Sequence, residues 1–356
     1  MKTILKSLIL FVTLIACYSA YAGELPEWKE EPPLQLNGHQ LRYGSMDYGD
    51  NCQGYSSIGV IYLHGTSPNT TVNEGGAFYV AWASRNGVLL PLTQWFRNIC
   101  ARVVAPDSGL KYSIINKIKD TKAWNANNSG ADGDLERRQI IQLMDKMVRE
   151  QGVTELYLMG FSSGSLMTHN IAQDLINHPG GANEKVRNAI KGLVMADGHS
   201  ANQVSALDAR YVGVDEDWWK NGFVTDVAEI GGVPNDNPAL TDPHVACSST
   251  DKLVSTTAIA RERGIYIDGS EEITGLVGNK KWDIPTLIVS SIRDEWISPC
   301  LKTHFANKMH ERGIDMGPSF GHSIRIQYVD SKHDGSIWHI GFPSIQRALL
   351  DAHNTP

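Results

Sequence analysis

The sequence predicts an α/β protein with a mostly parallel sheet and helices on both faces. Short apolar, β-rich runs recur along the chain, and each has the length of a strand rather than of a buried helix. They are Ile58–Leu63, Arg102–Ala105, Leu156–Met159, Leu193–Ala196, Pro285–Val289 and Ser323–Val329. Asp134–Glu150 carries an apolar stripe at helical spacing with charges on the other side. Such alternation of strands and helices is typical of a parallel sheet covered on both faces.

Less regular structure is predicted before the first of these runs, and two further predictions concern helices. Residues 23–58 are polar and rich in proline at their start, which predicts a loose segment followed by one or two edge strands around Gln40–Tyr48. Asp134 is the predicted N-cap of the helix that ends at Glu150. A further helix is predicted over Cys300–Arg312.

The alternating pattern breaks between residues 200 and 282. This span contains Trp218-Trp219, Gly231-Gly232 and several prolines, and its helical periodicity is modest. We predict that it is a cap inserted after the sixth strand and lying over the sheet edge. The predicted division is therefore a core of residues 23–199 and 283–356 with a cap of residues 200–282.

Residues 1–22 have the features of a secretory signal peptide. Two early lysines precede the apolar centre Leu8–Ala16, and Ala20-Tyr21-Ala22 forms a small-x-small cleavage site, so we expect cleavage after Ala22. The apolar centre is too short to span a membrane, and no later segment reaches the length of a span. This predicts a secreted or periplasmic protein. Leu14–Cys17 also resembles a bacterial lipoprotein box, and the alternative is a protein anchored through a lipid on Cys17.

Charge and cysteine content narrow the class further. The formal net charge is −7 and the pI is near 5.9, without a basic block, so a nucleic-acid partner is not expected. Four cysteines remain after the signal peptide, and an even number in an exported chain predicts two disulfides. Three pairings are open, of which we prefer Cys52 with Cys100 and Cys247 with Cys300.

The segment Glu155–His169 combines a buried strand, a Gly-x-Ser-x-Gly turn and the start of an amphipathic helix. A serine in such a turn adopts a strained backbone, and Gly160 and Gly164 are small where the strand and the helix crowd it. The helix N-terminus directly behind Ser162 offers unpaired N–H groups and the positive end of the helix dipole to an oxyanion. Ser162 is therefore the candidate nucleophile. The alternative is a glycine-rich loop whose serines cap the helix.

Partners for a nucleophilic serine follow three other strands. His64-Gly65-Thr66 ends the run that starts at Ile58, where a glycine allows the backbone to approach a substrate. Asp294 follows the strand Pro285–Val289 and is the predicted acid, with Asp197 after Leu193–Ala196 as the alternative. His333 follows the last strand and is the predicted base. His339 is the competing base, although it lies in a helical pattern.

Together these residues resemble the α/β-hydrolase superfamily. The resemblance covers roughly residues 57–350 without the insertion, and the Ser, Asp, His order matches that family. It implies that Ser162 is the nucleophile, His333 the base and acid, and Asp294 the carboxylate that orients the histidine. It implies an oxyanion hole made by N–H groups of Ser163 and of Gly65 or Thr66. No metal or organic cofactor is expected.

The expected substrate is a small-molecule or polymer-derived carboxylic ester, cleaved through an acyl-enzyme. Seven tryptophans fall in predicted loops or in the cap, where they would line a cleft or pack the cap onto the core. They are Trp82, Trp95, Trp124, Trp218, Trp219, Trp296 and Trp338. Two alternatives stay open, a serine peptidase or amidase of the same fold and a non-catalytic exported binding protein. The sequence leaves the oligomeric state open.

Overall fold

The computed structural model describes a nine-stranded sheet with helices packed against it. It describes residues 29–49, 57–65, 67–68, 96–107, 121–122, 131–198, 276, 278–291, 309, 313–314, 316–317 and 324–329. Its strands are β1 (Lys29–Leu36), β2 (His39–Asp47), β3 (Ile58–Leu63), β4 (Ser67–Pro68), β5 (Arg102–Asp107), β6 (Thr121–Lys122), β7 (Glu155–Phe161), β8 (Ile190–Ala196), β9 (Thr286–Ser291), β10 (Met316–Gly317) and β11 (Ile324–Val329). Its helices are α1 (Ala131–Glu150), α2 (Ser163–Asn177) and α3 (Gly181–Ala189).

The strands of the main sheet follow the order β1-β2-β5-β3-β7-β8-β9-β11-β10. The pairs from β5 to β10 are parallel, whereas β1–β2 and β2–β5 are antiparallel. β7 therefore lies near the centre of the sheet, between β3 and β8. Because β3, β7, β8 and β9 run in the same direction, their C-terminal ends meet at one edge. β4, which follows β3 in the chain, forms a separate antiparallel pair with β6.

The core lies on both faces of this sheet, as the twofold side-chain period of a strand requires. In β3, Ile61 and Leu63 belong to the cluster that packs against α1, α2 and α3, whereas Val60 and Tyr62 belong to the opposite cluster. All six residues of β3 are buried, as are the six of β9. Strands that are buried on both faces have continuous apolar sequences, which explains why these strands could be predicted from the sequence.

The predicted strands are confirmed with small shifts at their ends, and two local predictions were wrong. α1 begins at Ala131, so Asp134 lies inside the helix and not at its N-cap. The start of the chain is more regular than its prolines indicated, because β1 includes Pro32 and Pro33. β1 is an edge strand, and its register shifts between Glu31 and Leu34, so the missing proline N–H groups interrupt no central ladder.

Several predictions fall outside the described residues or are left untested. The signal peptide, the helix over Cys300–Arg312 and the cap of residues 200–282 stay predictions. At the predicted end of the cap, Leu276 and Trp282 are buried in the main core. Cys100 is disulfide-bonded, but its partner is outside the described residues and the pairing stays a prediction. Among the described helices, none is long and apolar enough to cross a membrane.

Candidate active site

Ser162 stands in the turn between β7 and α2, as predicted. Its backbone has φ 53° and ψ −119°, a conformation that costs an ordinary L-residue on the order of 1–3 kcal/mol. The N–H of Ser162 donates to the carbonyl of Ala196 at 2.9 Å, and the N–H of Ser165 donates to the carbonyl of Ser162 at 3.0 Å. These contacts hold the turn between β8 and the first turn of α2. Ser162 is buried, with 7% of its surface exposed.

The two glycines of the motif occupy positions where no side chain fits. A Cβ on Gly160 would lie 2.1 Å from the carbonyl oxygen of Gly164. A Cβ on Gly164 would lie 2.2 Å from the carbonyl oxygen of Leu63. β7, the start of α2 and the end of β3 are thus in direct backbone contact around Ser162. The sequence pattern predicted the first contact, but the contact with β3 depends on the tertiary fold.

Gly65, one of the predicted oxyanion donors, lies beside the candidate nucleophile. A Cβ on Gly65 would be 3.0 Å from the Cβ of Ser162 and 2.8 Å from the ring of Phe161. The backbone of Gly65 therefore lies close to the Ser162 turn, and α2 begins with Ser163 directly after it. N–H groups in the first turn of a helix have no intrahelical partner. Thr66, the other predicted donor, lies outside the described residues.

His64 supports the loop that carries Gly65. Its Nδ1 lies 2.6 Å from the carbonyl oxygen of Gly65, and since a carbonyl only accepts, Nδ1 carries the proton and donates it. Its Nε2 lies 3.6 Å from Oδ1 of Asp107, and both side chains are buried. The sequence pattern does not connect these two residues. His64 follows β3 and Asp107 is the last residue of β5, and the two strands are neighbours in the sheet.

Asp197, the alternative acid, lies at the end of β8 and is completely buried. Its Oδ1 accepts the backbone N–H of Ser291 and its Oδ2 accepts the Ser291 hydroxyl, each at 2.7 Å. Its own N–H donates to the carbonyl of Val289 at 3.0 Å. Asp197 therefore joins the C-terminal ends of β8 and β9.

The other predicted site residues lie outside the described part of the chain. They are Asp294, His333 and its competitor His339, together with the seven tryptophans of the expected cleft. Their roles stay predictions that rest on the sequence. Within the described residues, no three His, Cys, Asp or Glu side chains come together as metal ligands.

The strand order, the antiparallel strands at one edge and the strained Gly-x-Ser-x-Gly turn after the central β7 define an α/β-hydrolase fold. This confirms the predicted α/β class and its parallel sheet. The turn after β7 occupies the position that the nucleophile elbow has in that fold.

The comparisons with known proteins extend no further than the fold. No protein-family model and no curated protein matches the sequence. Among solved structures, the chain is similar to esterase Pf2001 of Pyrococcus furiosus, with 13% identity, a TM-score of 0.47, and 92% of this chain and 93% of that chain covered. It is also similar to brefeldin A esterase, a bacterial homologue of human hormone-sensitive lipase, with 14% identity, a TM-score of 0.49, and 94% and 78% covered. A puromycin-hydrolyzing peptidase of Mycobacterium tuberculosis gives 10% identity, a TM-score of 0.45, and 93% and 40% covered. At this level the similarities carry no information about chemistry.

Proposed function

We propose that the protein is a secreted serine hydrolase that cleaves carboxylic esters. The observation that carries the proposal is the geometry of Ser162, which has a strained backbone between two glycines and lies against Gly65. A serine that only caps a helix has an extended backbone and bonds the first turn through its hydroxyl. Among the described residues, the Ser162 hydroxyl makes no such capping bond to α2. The turn is built as a nucleophile elbow rather than as a helix cap.

The proposed reaction uses the triad Ser162, His333 and Asp294. His333 takes the proton of the Ser162 hydroxyl as the oxygen attacks the ester carbonyl, and then returns it to the alcohol that leaves. The acyl group stays on Ser162 until His333 activates a water molecule that releases the acid. Asp294 accepts the Nδ1–H of His333, fixes its tautomer and stabilises the imidazolium.

The oxyanion that forms in each step is proposed to bind between α2 and the loop after β3. The Ser163 N–H supplies one donor, and its position at the start of α2 adds the positive end of the helix dipole. Gly65 or Thr66 supplies the second donor. His64 supports this loop by holding the Gly65 carbonyl. Removal of one such donor from a serine hydrolase lowers kcat by about 10²–10³-fold.

Labelling with a fluorophosphonate tests the proposal. Intact mass should show one adduct on the wild type and none on Ser162→Ala or His333→Ala, while Asp294→Asn should react far more slowly. Ser165→Ala is the matched control, because Ser165 is a buried serine three residues further along and should leave labelling intact. A wild type that stays unlabelled would instead support the non-catalytic binding protein. A labelled His333→Ala would make His339 the base.

Ester preference is tested separately, because a triad acts on both esters and amides. A panel of p-nitrophenyl esters and peptide p-nitroanilides should show hydrolysis of the esters with kcat/KM at least about tenfold higher, a difference of about 1.4 kcal/mol in transition-state stabilisation. Faster hydrolysis of the anilides would identify a peptidase. Acyl chains of increasing length then define the expected cleft.

Export is the remaining part of the proposal. N-terminal sequencing of the mature protein should begin at Gly23, and a diacylglycerol on Cys17 would instead identify the anchored form. Non-reducing peptide mapping tests the proposed pairs Cys52–Cys100 and Cys247–Cys300. The disulfide bond at Cys100 is in keeping with an oxidising compartment.

A further inference from the structure

We infer that Asp197 is a positioning residue that fixes the C-terminal end of β9, and with it the chain that leads to Asp294. The inference rests on the proposed function, in which Asp294 is the triad acid. Three contacts carry it, namely the two bonds that Asp197 accepts from Ser291 and the bond that its N–H donates to Val289. Together they hold residues 289 and 291, the last part of β9, along the edge that faces β8.

The Asp197 carboxyl is buried, and both of its oxygens accept hydrogen bonds there. Its side chain is completely buried, and an unpaired carboxylate in that position would cost several kcal/mol. A backbone N–H and a hydroxyl at 2.7 Å offset this cost with short, charge-assisted hydrogen bonds. Because one donor belongs to the backbone of Ser291 and the other to its side chain, the carboxylate fixes both the position and the orientation of that residue.

The residues on either side of Asp197 connect the same point to the nucleophile. Ala196 accepts the N–H of Ser162 at 2.9 Å. A Cβ on Gly198 would lie 2.6 Å from the carbonyl oxygen of Ser162 and 2.2 Å from the Cβ of Ser165. Three consecutive residues therefore contact the elbow, the end of β9 and the start of α2. This segment sets the distance between Ser162 and the end of β9.

Asp294 follows Ser291 by three residues, a span of at most about 10–11 Å in an extended chain. A shift at Ser291 is therefore passed to Asp294 within one short segment. A displacement of about 1 Å in a catalytic group can lower the rate about 10²-fold. Asp197 acts on catalysis through this distance, without contact with the substrate.

The test compares Asp197→Asn and Ser291→Ala with the matched control Ser290→Ala. Ser290 is the preceding residue of β9 and is equally buried, and its hydroxyl has no hydrogen-bond partner among the described residues. An asparagine offers one acceptor oxygen where Asp197 offers two. We expect kcat to fall about 10–100-fold for Asp197→Asn and about tenfold for Ser291→Ala, with KM within about twofold. Ser290→Ala should keep the wild-type kcat, and Ser291→Thr, which restores the hydroxyl, should recover most of the loss.

A double-mutant cycle separates positioning from simple destabilisation. If Asp197 acts through Asp294, the rate loss of Asp197→Asn should disappear in an Asp294→Asn background, measured as the rate of fluorophosphonate labelling. Equal losses in both backgrounds would overturn the inference. A loss of about 10⁴-fold for Asp197→Asn, together with an active Asp294→Asn, would also overturn it and make Asp197 the triad acid.

The remaining outcomes are equally distinct. A lower Tm with unchanged kcat in Asp197→Asn would mean a structural role alone and would reject positioning. If Asp197→Asn does not fold, Ser291→Ala and its rescue by threonine carry the test on a smaller perturbation. Failure of the proposed function is visible in the wild type, which would then stay unlabelled at Ser162, whereas failure of the positioning role leaves wild-type labelling intact.

Discussion

Replacement of Gly164 by alanine is the sharpest probe of the elbow. The new Cβ would lie 2.2 Å from the carbonyl oxygen of Leu63 and 2.5 Å from that of His64. Both atoms belong to the backbone, so no side-chain rotation relieves the overlap. An ordinary contact of 3.4 Å requires the start of α2 to move away from the end of β3 by 3.4 − 2.2, or about 1.2 Å.

This movement separates the two walls of the proposed oxyanion hole. Ser162 and the Ser163 N–H move with α2, whereas Gly65 stays with β3. A displacement of about 1 Å is worth about 10² in rate, so kcat/KM should fall about 100-fold, or about 2.7 kcal/mol. Stability should fall by about 1–3 kcal/mol, the usual cost of an extra methyl group in a packed core.

The assay is ester hydrolysis together with urea unfolding, and the control is Gly192→Ala. Gly192 lies in the neighbouring strand β8, and its new Cβ would be 3.3 Å from the ring of Tyr157, so that ring need shift by only a few tenths of an ångström. We expect Gly192→Ala to keep kcat/KM within about threefold, since it leaves the elbow in place. Wild-type activity in a folded Gly164→Ala protein would refute the proposed contact between α2 and β3 as the basis of catalysis.

Three further predictions concern Gly65, His64 and Tyr157. Gly65→Ala should lower kcat/KM about tenfold in the ester assay, because the new Cβ presses on Phe161 and Ser162. Phe161→Leu in the same chain should restore part of the lost activity, whereas no loss in Gly65→Ala would place Gly65 outside the site. His64→Ala should lower kcat about tenfold with little change in KM, because the Gly65 carbonyl loses its hydrogen-bond donor. A rise in KM as large as the fall in kcat would contradict this role. Burial, and to a smaller extent the charge of Glu155, raises the pKa of Tyr157 above its ordinary value of 10.0. Above pH 10 the Tyr157 hydroxyl therefore loses its proton in the unfolded chain but keeps it in the folded protein, so the free energy of unfolding falls. Between pH 9 and pH 11 the wild type should lose about 1 kcal/mol more stability than Tyr157→Phe, measured by urea unfolding, and equal losses would refute the assignment.

The sheet could be predicted because its strands are encoded locally. A strand buried on both faces is a continuous apolar run, and β3, β7 and β8 each show one in the sequence. β1 was missed because Pro32 and Pro33 argue against a strand, and only its edge position and irregular register permit them. α3 was missed because a helix of nine residues with few apolar positions gives too weak a periodic signal.

Part of the candidate site could be predicted from a local motif, whereas the rest depends on the tertiary fold. Ser162 and its two glycines form one short motif, and their roles follow from the change of period around them. The bonds between Asp197 and Ser291 join residues 94 positions apart, and the contact between His64 and Asp107 crosses from one strand to another. In neither pair does the sequence around one residue identify the other residue. Both pairs become visible only once the strand order places the four C-terminal strand ends side by side.

The strain at Ser162 ties these observations to function. A residue that precedes a helix usually has an extended backbone, in which its side chain bonds the first turn at no conformational cost. Ser162 instead has φ 53°, a conformation that costs on the order of 1–3 kcal/mol. Within the described residues, its side chain makes no capping bond to the helix. Such a conformation persists only where its surroundings fix it, and here the bond to Ala196 and the close packing at Gly160, Gly164 and Gly65 do so. A helix start does not require this arrangement, but a hydroxyl presented to a substrate does, which is why the strained turn argues for a nucleophile.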